Sequence, residues 1–293
     1  MNTRRRFLRQ TSATAASILG MTAIAKALRP EGENISFGLC TYQWGAEWDI
    51  PTIITNLKQL GIKGVELRVD HAHKVTPDLS PEERADVRMK FEDAGLVLIG
   101  MGTNVDFDSP DQAKVKANIE LAKKYVHLSH DIGGSGVKVK PNNLHEKEGV
   151  AVEKTLEQIG KALAEVGEYA IGFGQEIRLE VHGTVGKSLA NIAKIMDTAN
   201  SSNVRVCWNS NPTDMDGGLQ KNFDLVKNHL GHTTHIHELK EGKYPYGELF
   251  KLFVNADYDG WMLMEAASKV EDKAQALGEQ KQIWTGLMEA ARK

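Results

Sequence analysis

The sequence contains little cysteine, and this limits how the fold can be held together. Its 293 residues include only two cysteines, Cys40 and Cys207. Both lie inside short apolar runs that are typical of strands, so we expect buried free thiols rather than a disulfide. No low-complexity segment divides the chain, which argues against two domains joined by a flexible linker.

Acidic residues are missing from the first 27 positions, which carry five basic residues. Residues 3–9 (TRRRFLR) match the twin-arginine export signature, and an apolar stretch of small residues follows from about residue 13 to 25. That stretch is shorter than the roughly 20 residues needed to span a bilayer. It ends in Ala25-Lys26-Ala27, an A-x-A cleavage site. We therefore predict a signal peptide over residues 1–27 and a periplasmic or otherwise exported protein.

The remaining chain has an excess of negative charge. Removing five positive charges from a formal net charge of −3 leaves −8. An acidic protein lacks the basic surface that nucleic-acid binding requires, so we expect no nucleic-acid partner. No later segment is long and apolar enough to predict a membrane span in the mature protein. The sequence leaves open whether the protein forms a homo-oligomer.

Strand-like and helix-like segments alternate along residues 28–293. Ser80 and Glu83 show the capping-box pattern of a helix start, and Gly61 is typical of a helix end. Eight units in about 266 residues predict a single-domain α/β fold, a (β/α)8 TIM barrel. The predicted strands are residues 35–41, 64–68, 96–101, 136–140, 177–182, 204–208, 234–239 and 260–265.

A second arrangement of such units is an open, doubly wound parallel sheet. Its usual marker, a G-x-G-x-x-G turn after the first strand, is missing from this sequence. Gly133-Gly134-Ser135-Gly136 is rich in glycine but precedes a strand, so it is typical of a turn rather than of a phosphate-binding loop. The closed barrel is therefore the better prediction.

Polar residues occupy the predicted strand ends, where active sites of such barrels lie. Because alternate strand residues share a face, Glu180 and His182 point to one side, as do His235 and His237. Buried carboxylates are costly unless they are paired or bind a metal ion. We therefore predict one divalent metal ion, with Mn, Co, Mg and Zn all compatible with the ligand types. The strand-end residues are Glu66, Arg68, Lys138, Lys140, Glu180, His182, Asn209, His235, His237 and Glu265.

Several segments resemble strands 5 to 8 of the xylose-isomerase-like barrel superfamily, which includes sugar isomerases and epimerases. They are Leu179–Gly183, Cys207–Asn209, His235–Lys240 and Met264–Ala266. The resemblance implies a metal ion held by Glu180, Asn209, His237 and Glu265, with His235 as the rival to His237. Asn209 departs from the family pattern, in which aspartate is usual, so the site has one negative charge less.

The resemblance implies an enzyme that abstracts a proton next to a carbonyl of a carbohydrate, through an enediolate. Candidate catalytic residues are Glu180, Glu265, Lys140 and Glu66, and candidate substrate-binding residues are His182, His235, Arg68 and Lys138. Since sugar phosphates are mainly cytoplasmic, we expect a small carbohydrate without phosphate as the substrate.

Three alternatives remain at this point. A lyase would use the same chemistry for β-elimination on 3-keto-glycosides, and a non-catalytic barrel would bind carbohydrate without turnover. The superfamily also contains apurinic endonucleases, which carry further metal-binding histidines. Pro212 stands where one of these would fall, and this argues against a DNA-repair enzyme.

Overall fold

Eight parallel strands alternate with helices along the part of the chain that the structure describes. The computed structural model describes residues 35–241 and 244–293. The predicted signal peptide, residues 1–27, lies outside these residues. The strands are β1 (Ser36–Cys40), β2 (Gly64–Arg68), β3 (Val97–Asp106), β4 (Gly136–Lys140), β5 (Glu176–Glu180), β6 (Val204–Cys207), β7 (Thr233–Ile236) and β8 (Trp261–Met264).

The helices follow the strands and pack outside them. Two of their starts show side-chain caps that the sequence signals: Asp49 caps the first helix, and Ser80 and Glu83 form a complete capping box at the second. In chain order the helices are α1 (Ile50–Leu60), α2 (Pro81–Asp93), α3 (Gln112–Asp131), α4 (Val152–Ile171), α5 (Gly183–Gly186), α6 (Leu189–Ala199), α7 (Leu219–Val226), α8 (Tyr246–Asn255) and α9 (Lys273–Ala291).

The strands form one sheet in the order β6-β5-β4-β3-β2-β1-β8-β7. Backbone hydrogen bonds beside its two edge strands, β6 and β7, close the barrel. The amide of Gly231 donates to the carbonyl of Val206 at 2.9 Å, and the amide of His235 donates to that of Trp208 at 2.7 Å. The predicted single-domain (β/α)8 barrel is therefore confirmed. Among the described residues, no helix is long and apolar enough to cross a membrane.

Charged residues also occupy the N-terminal end of the barrel, where they are fully paired. The guanidinium of Arg178, a buried residue, donates to Oε2 of Glu176 at 2.7 Å and to the carbonyl of Ile99 at 3.1 Å. A Cβ added at Gly136 would lie 2.7 Å from Cζ of Arg178, so glycine makes room for this side chain. This end of the barrel is thus a packed structural layer, which leaves the opposite end for chemistry.

Candidate active site

Five charged side chains converge inside the C-terminal end of the barrel, and each residue is at most 7% exposed. They alternate with residues that pack against the helices, because successive strand side chains point to opposite faces. Parallel strands bring their carboxyl ends to one end of the barrel, so residues far apart in sequence meet there. The five are Glu66 on β2, Lys138 on β4, Glu180 on β5, His235 on β7 and Glu265 directly after β8.

His235 lies at the centre of this cluster. Its Nε2 is 3.1 Å from Oε1 of Glu66. Its Nδ1 is 3.3 Å from Oε1 of Glu180 and 3.3 Å from Oε2 of Glu265. The thiol of Cys40 also contacts Glu66, with Sγ 3.6 Å from Oε1 of that carboxylate. One imidazole therefore contacts three carboxylates from three different strands.

Lys138 is ion-paired with one of these carboxylates. Its Nζ lies 2.6 Å from Oε2 of Glu180, and both side chains are almost completely buried. Burial alone would lower the pKa of Lys138, but the charge of Glu180 outweighs it and raises the pKa. Lys138 is thus a fixed positive charge inside the cluster.

The cluster is held in its charged form. Burial alone would raise the pKa of Glu66, but the charge of His235 and its hydrogen bond lower it to about 2. Burial would also raise the pKa of Glu180, which Lys138 and His235 instead hold well below its usual range. Burial alone would lower the pKa of His235, but Cys207 and Glu265 raise it well above the usual value. Three carboxylates against Lys138 and a protonated His235 still leave one negative charge in excess, and this charge attracts a metal cation.

The donor atoms of the cluster fit a divalent cation. The contact with Glu66 favours a proton on Nε2 of His235, so a cation that displaced the second proton of the ring would meet the lone pair of Nδ1 beside Glu180 and Glu265. Glu180, His235 and Glu265 offer ligand atoms that all lie within 4.8 Å of one another. Nδ1 of His235 and Oδ1 of Asn209 are buried without a hydrogen-bond partner among the described residues. Such a mixed oxygen and nitrogen set suits the divalent ions expected from the sequence.

His237 lies apart from the carboxylates, although the resemblance implies it as the metal ligand. β7 ends at Ile236, one residue earlier. Nδ1 of His237 is 3.0 Å from the carbonyl oxygen of Glu265, and Nε2 is 3.2 Å from that of Asn209. Both ring nitrogens therefore face backbone carbonyls, and the structure places His235 among the carboxylates instead. The alternation of strand residues puts both histidines on one face and does not show which one lies deeper.

The other predicted site residues on β2 and β4 differ in their surroundings. Arg68 is held in place by β3, since Nη1 donates to the carbonyls of Gly102 and Thr103 at 3.0 and 3.1 Å. Lys140 ends β4 and is partly exposed, and it has no hydrogen-bond or ion-pair partner among the described residues. Burial lowers the pKa of Lys140, and the nearby Lys138 adds to this effect. Lys140 thus offers a free amine near the carboxylates, whereas Arg68 is committed to the protein.

His182 follows β5 and belongs to a network that the sequence analysis missed. Its Nδ1 lies 2.9 Å from Oδ1 of Asn142, whose Nδ2 donates to Oδ2 of Asp106 at 2.7 Å. Burial lowers the pKa of His182. The sequence signal that could have found these residues is their position at the ends of β3 and β4, since loops there line the mouth of such barrels.

A second polar network was also missed, in the loops after β6 and β7. The hydroxyl of Tyr244 donates to Oδ2 of Asp214 at 2.6 Å and lies 3.2 Å from Nε1 of Trp208. The backbone amide of Asn211 donates to the same Oδ2 at 2.8 Å. Burial raises the pKa of Asp214 to about 7, against the hydrogen bonds from Tyr244 and Asn211. The residues come from two loops, so their contact has no pattern in the sequence.

Comparison with known proteins identifies the family of this barrel. A family model described as xylose isomerase-like TIM barrel matches residues 54–285. This range includes every strand from β2 to β8 and all five charged residues of the cluster.

Solved structures share the fold at low sequence identity. An L-ribulose 3-epimerase is 16% identical with a TM-score of 0.74, and the match covers 87% of this chain and 95% of that one. The apo form of a 3-keto-D-glucoside 4-epimerase from E. coli is 14% identical with a TM-score of 0.72, covering 86% and 99%. A D-psicose 3-epimerase crystallised in the presence of D-fructose is 18% identical with a TM-score of 0.67, covering 88% and 96%.

Proposed function

Because the chain belongs to the xylose isomerase-like TIM barrel family, we propose that it is a metal-dependent enzyme that moves a proton at the carbon next to a sugar carbonyl. The observation that carries this proposal is the buried cluster in which one imidazole contacts three carboxylates. Burying charges is costly unless they are paired or bind a cation, and Lys138 and His235 together do not balance three carboxylates. The products would be those of an isomerase or an epimerase.

The cation would be held by Glu180, Asn209, His235 and Glu265. Glu180, His235 and Glu265 offer ligand atoms that lie within 4.8 Å of one another. The buried Oδ1 of Asn209 has no hydrogen-bond partner among the described residues. His235 would bind the cation instead of His237, which the resemblance implies as the ligand. Glu66 would orient the His235 ring through its contact with Nε2. A divalent cation supplies Lewis acidity that polarises the carbonyl and hydroxyl oxygens of a bound sugar.

Among the candidate catalytic residues, Glu265 is better placed than Glu180 to act as the base. Oε2 of Glu180 is neutralised by Lys138 at 2.6 Å, whereas Glu265 is the most exposed residue of the cluster. A base must reach the proton that it removes, and it must do so in its ionised form. His235 lowers the pKa of Glu265 against the effect of burial, so this carboxylate is ionised at neutral pH. We assign proton abstraction to Glu265.

Lys140 is the candidate for stabilising the negative charge that forms on the substrate. Removal of the proton leaves negative charge on the substrate oxygens, and a cationic group near them stabilises the enediolate. Lys140 is the partly exposed end of β4 and its amine has no competing partner among the described residues. We assign it to this stabilisation, with Lys138 as the buried charge that holds Glu180 in place.

The substrate is proposed to be a carbohydrate without phosphate. The predicted export signal places the protein away from the main pool of sugar phosphates. The names of the similar structures, L-ribulose, D-psicose and 3-keto-D-glucoside epimerases, refer to unphosphorylated sugars. Both points favour a free ketose or a keto-glycoside.

Elimination from a 3-keto-glycoside is the second candidate, and the fold shared with a 3-keto-D-glucoside 4-epimerase favours it. The first step is the same proton removal next to the ketone. In the elimination, the electron pair of the carbanion expels the group on the β carbon instead of taking a proton back. The two reactions differ in their products, since an isomerisation conserves the mass of the substrate.

Solvent exchange tests the proposal. The protein is incubated in heavy water with Mn²⁺, Co²⁺, Mg²⁺ or Zn²⁺ and a panel of ketoses and keto-glycosides, and deuterium incorporation is followed by mass spectrometry. We expect metal-dependent incorporation of deuterium into a substrate or its product. Glu265→Gln should abolish it, whereas the exposed Glu289→Gln on α9 should not. Sugar binding without exchange would identify a non-catalytic binding barrel.

A further inference from the structure

A chain of hydrogen bonds runs from Asn118 on α3 through Asp106 at the end of β3 and Asn142 after β4, and it ends at His182 after β5. Nδ2 of Asn118 donates to Oδ1 of Asp106 at 3.0 Å, and Nδ2 of Asn142 donates to Oδ2 of the same carboxylate at 2.7 Å. A carboxylate accepts hydrogen bonds, so it fixes the orientation of the Asn142 amide. The amide oxygen of Asn142 then faces Nδ1 of His182 at 2.9 Å.

The orientation of the Asn142 amide determines which nitrogen of His182 carries the proton. An amide oxygen accepts a hydrogen bond, so Nδ1 must be the donor. A neutral imidazole has one N–H, and Nε2 is therefore left with its lone pair. No residue in the described part of the chain forms a hydrogen bond or an ion pair with Nε2. His182 is partly exposed and stands two residues after Glu180.

The backbone around the network is arranged for this contact. Asn142 has a φ of 48°, and Gly183 has a φ of 69°. The carbonyl of Asn142 would collide with a Cβ at position 183, and it accepts a hydrogen bond from the amide of Val185 at 3.1 Å. Left-handed residues of this kind persist where the surrounding structure demands them, often at functional sites. The two loops are thus locked together at His182.

We propose that Asp106 and Asn142 are positioning residues that hold His182 with its proton on Nδ1, so that Nε2 accepts a hydrogen bond from a sugar hydroxyl. The acceptor role rests on the function proposed above, whereas the tautomer rests only on the hydrogen bonds. The substrate therefore presents a hydroxyl donor, rather than an acceptor, to the β5 side of the mouth.

Nitrogen NMR of the histidine rings tests the tautomer without any substrate. The purified protein is labelled with ¹⁵N-histidine and studied with diamagnetic Zn²⁺ at pH 8, well above the ordinary pKa of an imidazole. His182→Gln assigns the signals. We expect a protonated Nδ1 and an unprotonated Nε2 on His182. A proton on Nε2 in the unaltered protein would overturn the proposal.

Asp106→Asn is the decisive variant. The oxygen of the new amide still accepts from Asn118, so its NH₂ group faces Asn142 and turns that amide around. Asn142 would then donate to Nδ1 of His182, and the proton should move to Nε2. Asn142→Gly, which suits a positive φ, removes the link and should give a mixture of tautomers. An unchanged tautomer in both variants would contradict the proposal.

Asp108→Asn is the matched control. Asp108 is buried, accepts from the amide of Asn143 at 3.0 Å and lies 2.9 Å from Nε2 of His145, but it forms no hydrogen bond with Asn142 in the described structure. It should leave the His182 tautomer unchanged. With an active substrate, Asp106→Asn should lower kcat/KM about tenfold or more, because a donor would replace an acceptor, and Asp108→Asn should stay within about twofold. If the NMR result holds but no sugar exchanges deuterium, the proposed function fails and the positioning network stands.

Discussion

Nε2 of His235 lies 3.1 Å from Oε1 of Glu66, with both side chains fully buried. This contact connects β2 with β7 across the interior of the barrel. It determines the direction in which the other ring nitrogen points, and so it directs Nδ1 towards Glu180 and Glu265. The candidate metal site therefore depends on a carboxylate that is not proposed to bind the metal.

Glu66→Gln tests that dependence. A neutral amide fits the space and its oxygen can still accept from Nε2, but it lacks the negative charge that makes the imidazole a stronger ligand, so the affinity for Mn²⁺ or Zn²⁺ should fall about 10- to 100-fold. Competition titration with a fluorescent chelator measures the affinity. Glu176→Gln, at the opposite end of the barrel, is the control and should leave it unchanged. Equal affinities of Glu66→Gln and the unaltered protein would show that Glu66 does not orient the ligand.

Lys138→Met tests the buried ion pair with Glu180. It leaves a carboxylate inside the protein without its partner, so the free energy of unfolding in the presence of a chelator should fall by about 3–5 kcal/mol. Urea denaturation measures this. The double variant Lys138→Met/Glu180→Gln should recover part of the loss, because no charge is then unpaired.

A surface pair provides the comparison for that experiment. Lys161 and Glu157 form an ion pair in which both side chains are more than half exposed. Lys161→Met should therefore cost less than about 1 kcal/mol. If both lysine variants had the same small effect, Lys138 would not stabilise a buried charge.

Asp214→Asn should change the dependence of stability on pH. Burial raises the pKa of Asp214 to about 7 in the folded protein, above the value of about 3.9 for an unfolded chain. The folded state keeps its proton longer, so the contribution of Asp214 to stability is fully present below about pH 4 and is lost as the pH rises through 7. The variant should therefore gain about 2–3 kcal/mol relative to the unaltered protein between pH 5 and pH 8.

Urea denaturation at the two pH values measures this gain. Asp216→Asn changes an exposed carboxylate two residues away and is the control. An Asp214→Asn effect that is the same at pH 5 and pH 8 would mean that Asp214 titrates as an exposed group does.

Gly183→Ala tests the lock between the loops after β4 and β5. Alanine would adopt the left-handed conformation at a cost of about 1–2 kcal/mol, and its Cβ would also collide with the carbonyl of Asn142. Gly149 has a φ of 79° but open space around it, so Gly149→Ala should show only the conformational cost. A thermal denaturation in which both variants lose the same stability would exclude the collision.

The sequence predicted the barrel well because its signals are local. Gly64–Arg68 and Gly136–Lys140 are observed strands with the predicted bounds, and the capping box at Ser80 is present. Each of these depends on apolar runs or on residues within one turn of each other. β3 runs further than predicted, to Asp106, because its last residues are polar and give no strand signal.

The sequence predicted which residues gather at the candidate site, but it did not predict which of them contact each other. Alternation placed His235 and His237 on one face, yet the end of β7 at Ile236 decides which imidazole meets the carboxylates. The position of Asn142 after β4 marks it as a mouth residue, but its contact with His182 and the contact of Asp214 with Tyr244 could not be predicted, because each joins two different loops. Such contacts depend on the three-dimensional path of the chain and leave no spacing in the sequence.

The proposed function requires that a divalent cation binds at His235 in the buried carboxylate cluster. Mass spectrometric metal analysis of the protein after exposure to Mn²⁺ or Zn²⁺ and removal of free ions tests it most directly. We expect about one ion per chain in the unaltered protein and in His237→Gln, and a loss of at least tenfold in occupancy in His235→Gln. A metal-free unaltered protein, or a metal ion lost from His237→Gln but kept by His235→Gln, would contradict the claim.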